Sequence, residues 1–226
     1  MAITENTKLL IKMAADGNLD EVQRLIPVSQ PRDCESYALM LAATNGHTEC
    51  VKALIPVSDP QTCNSEALTS AAENGHAECV KLLIPVSDPC ANRSAALKAA
   101  AETGHAECVK LLISVSQPSI DNSYSLSCAA QNGHAECVKL LIPVSDAKVF
   151  NSQPLQLAVI KNHPLCIELL YPVSDANIAL NELQKEYPND VTIWGRLEHC
   201  IAIQQSQKLI SEIELLPNRP SSRKLI

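Results

Sequence analysis

The chain has 226 residues, room for one or two ordinary domains, and its 46% hydrophobic and 19% charged residues exclude an intrinsically disordered protein. Aromatic residues at 3% argue for many thin, similar core layers in place of one large globular centre, and against a stacking platform for single-stranded nucleic acid. A net charge of −7 disfavours a phosphate-binding surface, no apolar run is long enough to span a bilayer, and MAITENTKLLIKMAADGN lacks the apolar centre of a secretory signal, so the expectation is a cytoplasmic protein with neither nucleic-acid nor membrane partners.

From the N-terminus to about residue 175 the chain repeats itself. NGHTEC begins at Asn45, NGHAEC at Asn74, TGHAEC at Thr103 and NGHAEC at Asn132, in steps of 29 residues. The same step backwards reaches Gly17 and forwards reaches Asn162, giving six units that open at Thr7, Ser36, Ser65, Ser94, Ser123 and Ser152. Self-similarity at this period signals a stacked-repeat architecture. Within a unit the opening Ser or Thr predicts a helix N-cap, and a short helix such as SEALTSAAEN follows until a glycine (Gly46, Gly75, Gly104 or Gly133) ends it. A second helix, AECVKLLI, has Glu49, Glu78, Glu107 or Glu136 in its first turn, where negative charge is favoured, and stops at Pro27, Pro56, Pro85, Pro143 and Pro172. Helices of this length are marginal alone, so they depend on their neighbours. Leu39, Leu68, Leu97, Leu126 and Leu155 share one column and Ala42, Ala71, Ala100, Ala129 and Ala158 another; both are predicted stacking contacts.

AAENGHAECVKLLI resembles the core of the ankyrin-repeat family, whose pattern is LAA, two variable residues, GH, and a second helix of the type LEIVKLLL. The resemblance covers about residues 5 to 175 and implies an all-α, ankyrin-like α-solenoid of six helix-pair repeats. Two departures stand out. The units have 29 residues where ankyrin units have about 33, and SYAL, SEAL, SAAL, SYSL and SQPL replace the family's Thr-Pro-Leu-His opening. The connection PVSDPQTCN has none of the family's glycine-bearing hairpin, so the projecting β-fingers are expected to be shortened or absent.

After Asp175 the period slips. ANIALNELQKEY reads as one more first helix stopped by Pro188, and DVTIWGRLEHCIAIQQSQKLISEIELL as a single long helix with Val191, Trp194, Leu197, Ile201, Leu209, Ile213 and Leu216 on roughly one face. The expected organisation is a solenoid over 1–175, a helical C-terminal cap over 176–216 that covers the last repeat face, and a disordered Pro-rich basic tail over 217–226. The other reading of the long helix is a seam for a homo-oligomer or a partner.

Candidate chemistry is scarce. Of ten cysteines, Cys50, Cys79, Cys108, Cys137 and Cys166 occupy one column. Stacked helices about 8–10 Å apart exceed the usual disulfide Cα separation of about 4.4–6.8 Å, so these are read as reduced core thiols. Cys34, Cys63, Cys90 and Cys128 are expected to be more exposed. His47, His76, His105, His134 and His163 form a second column; equivalent residues in successive units are too far apart to share a metal ion, and the family resemblance implies that this His bonds loop backbone. No nucleophile elbow, Walker loop, Rossmann fingerprint or HExxH occurs, and the serines of the PVSDP turns repeat fivefold, which signals geometry. The expectation is no enzyme, no metal and no cofactor.

Function is then sought in columns that vary while their neighbours hold. These are Tyr37, Glu66, Ala95, Tyr124 and Gln153; Met40, Thr69, Lys98, Ser127 and Gln156; and Thr44, Glu73, Glu102, Gln131 and Ile160. In the ankyrin family such first-helix residues line the concave face, with Arg32, Gln61, Cys90, Ser119 and Lys148 on its rim. Tyr37 and Tyr124 are half of the four tyrosines, and rigid amphipathic rings are favoured at interfaces. The expected function is a protein–protein interaction scaffold. Near-identical units point to internal duplication, familiar in ankyrin proteins of intracellular bacteria and viruses, so an effector in a host cytosol is one expected setting. The alternative is a protein that sequesters a small molecule in the first-helix groove or at an oligomer seam.

Overall fold

The computed structural model describes residues 4–31, 33–116 and 120–214. Among them, helices alternate along the chain and no strand occurs. The first helices of the six units are α1 (Glu5–Ala15), α3 (Asp33–Thr44), α5 (Thr62–Glu73), α7 (Ala91–Thr103), α9 (Ile120–Asn132) and α11 (Val149–Ile160). The second helices are α2 (Leu19–Leu25), α4 (Thr48–Leu54), α6 (Ala77–Leu83), α8 (Ala106–Ile113), α10 (Ala135–Leu141) and α12 (Pro164–Leu170). Each first helix lies on the next, each second helix on the next, and the two layers meet along a continuous core. α13 (Ala176–Glu186) continues the first-helix layer on α11, and α14 (Val191–Glu214) lies across both.

Two leucines per unit, from Leu10 and Leu25 to Leu155 and Leu170, are the largest fully buried side chains. The predicted Leu and Ala columns are completely buried, and so is the Cys column. Burial of a leucine stabilises by about 1.5–3 kcal/mol, which lets a stack of seven-residue helices persist where none would alone.

The joint between units rests on the glycine and the histidine. Gly46 ends its helix at φ +74°, a conformation that L side chains avoid, and a Cβ there would lie 2.5–2.9 Å from the imidazole of His76 in the next unit. His76 Nε2 lies 3.0 Å from the carbonyl oxygen of Thr44 and donates to it. His47, His134 and His163 make the same bond to Ala15, Glu102 and Gln131. Four histidines thus hold their units to the backbone of the one before, and His105 keeps the same ring position over Gly75.

Three local expectations are corrected. The opening Ser precedes the right-handed turns of its helix, but its hydroxyl does not cap them. Ser36, Ser65 and Ser152 adopt positive φ, and their Oγ atoms accept the backbone N–H of Asp59, Asp88 and Asp175, 23 residues on, at 2.8–2.9 Å. The bond ties the start of each of these units to its final loop, and Ser123 makes it to Asp146 at 3.1 Å. In the first unit Thr4 is the N-cap, accepting from Thr7 N, while Thr7 receives Gln30 N. The prolines end the α-helix but not the helical path: Pro27, Pro56, Pro143 and Pro172 each sit in a 3-10 turn. Where Ser114 replaces proline, α8 runs on to Ile113.

The third correction concerns α14. Leu197 is buried, Ile193, Trp194, Cys200 and Ile201 pack partly against the core, and Arg196 Nη1 donates to Val159 O at 2.9 Å. Val191 and every residue from 202 to 211 are exposed, Leu209 at 59%. At about 100° per residue, Leu209 is displaced roughly 120° around the helix from Leu197, so the apolar stripe changes face and the single face expected from the sequence does not exist. The side chain of Ile213, Leu216 and the tail over 217–226 lie outside the described residues.

Candidate protein-binding face

The variable columns emerge together on the outer surface of the first-helix layer, because residues at i, i+3 and i+7 share one side of a helix and the helices are in register. Tyr37 and Tyr124 are 44% and 51% exposed. Glu66, Glu73, Glu102 and Gln131 are exposed, and Met40, Thr44, Thr69, Ala95, Lys98, Gln153, Gln156 and Ile160 are half-buried. Ser127 departs from the expectation: it is 4% exposed and its hydroxyl donates to Ser123 O at 3.1 Å, so it offers a partner almost nothing. On the rim, Lys148 pairs with Asp175 at 3.2 Å and Cys90 is half-buried; Arg32 and Ser119 lie outside the described residues.

Between α5 and α7 the face sinks into a groove of about 280 Å³, walled by Thr69 and Glu73 on one side and Ala95, Lys98 and Glu102 on the other. All five came from the variable columns. Ala99 and Thr103 also line it and were missed, although their columns, Leu41-Ser70-Ala99-Cys128 and Asn45-Asn74-Thr103-Asn132, vary or border the turn. Lys98 Nζ sits 5.0 Å from the centroid of the Tyr124 ring on the neighbouring helix, within cation–π range.

The charges of the two layers are handled differently. On the second helices Glu21, Glu49, Glu107 and Glu136 pair with Arg24, Lys52, Lys110 and Lys139 three residues on, at 2.6–4.0 Å. The carboxylates of Glu66, Glu73 and Glu102 have no ion-pair partner among the described residues.

The chemistry of the buried cysteines is suppressed. Burial pushes the column thiols up, Cys108 and Cys137 to about 11, and keeps them protonated. Cys128, expected to be exposed, is buried and shifted likewise; the side chains of Cys34 and Cys63 lie outside the described residues. No group of three His, Cys, Asp or Glu among the described residues could hold a metal ion.

A second groove, about 440 Å³, separates α12 from α14 and is lined by Ile167, Tyr171, Arg196, Cys200 and Ile203 among others. Arg196 carried no signal in the sequence, since it lies beyond the repeat, whereas Tyr171 stands out only as the ring in a column that is Ile in the other five units. The Cys200 thiol there is pushed up by burial and by Glu168, which disfavours the thiolate a nucleophile needs. No helix among the described residues is long and apolar enough to cross a membrane.

Helix pairs joined by Gly-His turns and stacked through Leu, Ala and Cys columns define a helical-repeat solenoid. The family model for ankyrin repeats (3 copies) matches residues 9–92, 57–123 and 97–182, and the chain belongs to the ankyrin-repeat family. The crystal structure of the human ASB11 ankyrin repeat domain is 22% identical, with a TM-score of 0.64 over 73% of this chain and 82% of that one. An ankyrin repeat domain from Acinetobacter baumannii AYE is 20% identical, with a TM-score of 0.59 over 74% of this chain and 98% of that one. No curated protein matches the chain. Ankyrin repeats are protein–protein interaction modules, and the expectation of an all-helical ankyrin solenoid agrees with the structure and with these neighbours.

Proposed function

We propose that the chain is a non-enzymatic scaffold that holds a protein partner on its first-helix face, with residues 1–175 as the binding solenoid and 176–216 as its helical cap. The observation that carries this reading is the groove between α5 and α7, in which five residues from the three varying columns meet while the joint columns around them stay constant. The raised, protonated thiols of Cys108, Cys137 and Cys200 support the non-enzymatic part, and buried free thiols fit a reducing compartment such as a cytosol. An effector role in a host cytosol extends the reading, supported by the near-identity of the units. The test is the double variant Tyr37→Ala/Tyr124→Ala, in pull-down and thermal melting. Partner capture falls at least tenfold while the melting temperature holds, because exposed rings anchor interfaces and contribute little to the core. Normal capture by this variant, with capture lost on deleting 189–226, would transfer the site to α14.

The groove between α12 and α14 supports a second reading, sequestration of a small apolar ligand beside Tyr171 and Ile203. Native mass spectrometry of the purified chain decides it: a retained small molecule that Tyr171→Ala releases supports sequestration, and a bare mass removes it.

A further inference from the structure

Resting on the assignment of the first-helix face, we infer that the partner presents an elongated segment, basic at its centre and apolar toward both ends. The two exposed tyrosines stand on α3 and α9, three units apart. With neighbouring helices about 8–10 Å apart, they are separated by about 25–30 Å. Such a span fits about nine extended residues or roughly 18–20 helical ones, and is too long for a single side-chain cluster. Between the rings, α5 and α7 carry Glu66, Glu73 and Glu102, whose carboxylates are exposed and without ion-pair partners among the described residues, whereas the second-helix acids on the other layer are mostly neutralised from within their own helices. Lys98, the one cation lining the groove, is held over the Tyr124 ring, and even with Arg93 exposed at the start of α7 the two helices carry three carboxylates against two cations. Lys and Arg fit this arrangement in two respects: their methylene stems lie along Ala95 and Ala99, and their charged heads reach the carboxylates. An acidic segment would meet three like charges.

The test is a 20-residue random peptide display library panned in parallel on the intact chain and on its Glu66→Gln/Glu73→Gln/Glu102→Gln variant. These residues are exposed, and an unchanged circular dichroism melt confirms that the variant is folded. Wild-type protein should enrich peptides with central Lys or Arg. Those peptides should bind the triple variant at least tenfold more weakly, lose affinity as salt rises from about 50 to about 300 mM, and bind the Tyr37→Ala/Tyr124→Ala variant more weakly. Equal Lys and Arg content from both selections overturns the inference. Peptides that tolerate the glutamines but fail on the tyrosine variant overturn it while leaving the face assigned. Peptides indifferent to both variants remove the face itself.

Discussion

At each joint of the stack a glycine of one unit lies beneath the imidazole of the next, and at four of the five the ring bonds the backbone it covers. In the outer half of α14 the side chains from 202 to 211 face solvent, and a Cβ added at Gly195 would meet nothing within 4 Å. Both regions are helical, yet one is fixed by contacts one unit away and the other by its own turns plus a short packed patch around Leu197. Glycine makes the contrast concrete: in the stack it is the residue the geometry demands, and in α14 it only weakens a helix.

Four measurements break or sharpen that contrast. The largest effect is expected at the core of the stack: Cys108→Asp should destabilise by about 3–5 kcal/mol in urea unfolding, the cost of a buried charge without a partner, whereas Cys108→Val should be tolerated. Gly46→Ala should cost about 2 kcal/mol or more, combining the left-handed backbone with displacement of the His76 ring. Retained stability there would mean that the joint is not a fixed contact. Third, the raised thiols make the stack sensitive to alkali. A thiol with a pKa of 9.0 in the unfolded chain and about 11 when folded contributes stability that is whole below pH 9 and lost as pH rises toward 11. The loss amounts to at most about 3 kcal/mol for each of Cys108 and Cys137, so the Cys108→Val/Cys137→Val variant should lose less stability than the parent between about pH 8 and 10.5. The smallest effect has the opposite sign: Gly195→Ala should stabilise by about 0.5–1 kcal/mol, and a loss would show that α14 is held by neighbours after all.

The repeat made the stack legible. Leu68 is recognisable as core because Leu39 and Leu97 flank it at the same step, and His76 as structural because four copies rule out a singular role. Where a residue stands alone, that comparison vanishes. Leu209 read as a continuation of the Leu197 stripe because both are apolar and in one helix; the twelve-residue spacing turns it about 120° away, and the packed patch around Leu197 shows which side is covered. Ser65 read as a cap because Ser before a helix usually is one, whereas its hydroxyl serves an amide 23 residues away that no local pattern marks. The groove was half legible: variation identified Glu73 and Lys98, but variation in Ser127's column concealed a hydroxyl turned back on its own helix.

The Gly-His joint recurs at five successive boundaries with nearly the same geometry, and each instance involves only adjacent units. Such a stack behaves as a ruler with one graduation per 29 residues. Recombination between near-identical units can remove or add a graduation without remaking any joint, and it would move Tyr124 relative to Tyr37 by one helix spacing, about 8–10 Å. If the first-helix face binds as proposed, the distances it can span are quantised, and the length of what it holds can change in a single genetic step while every core contact is inherited intact.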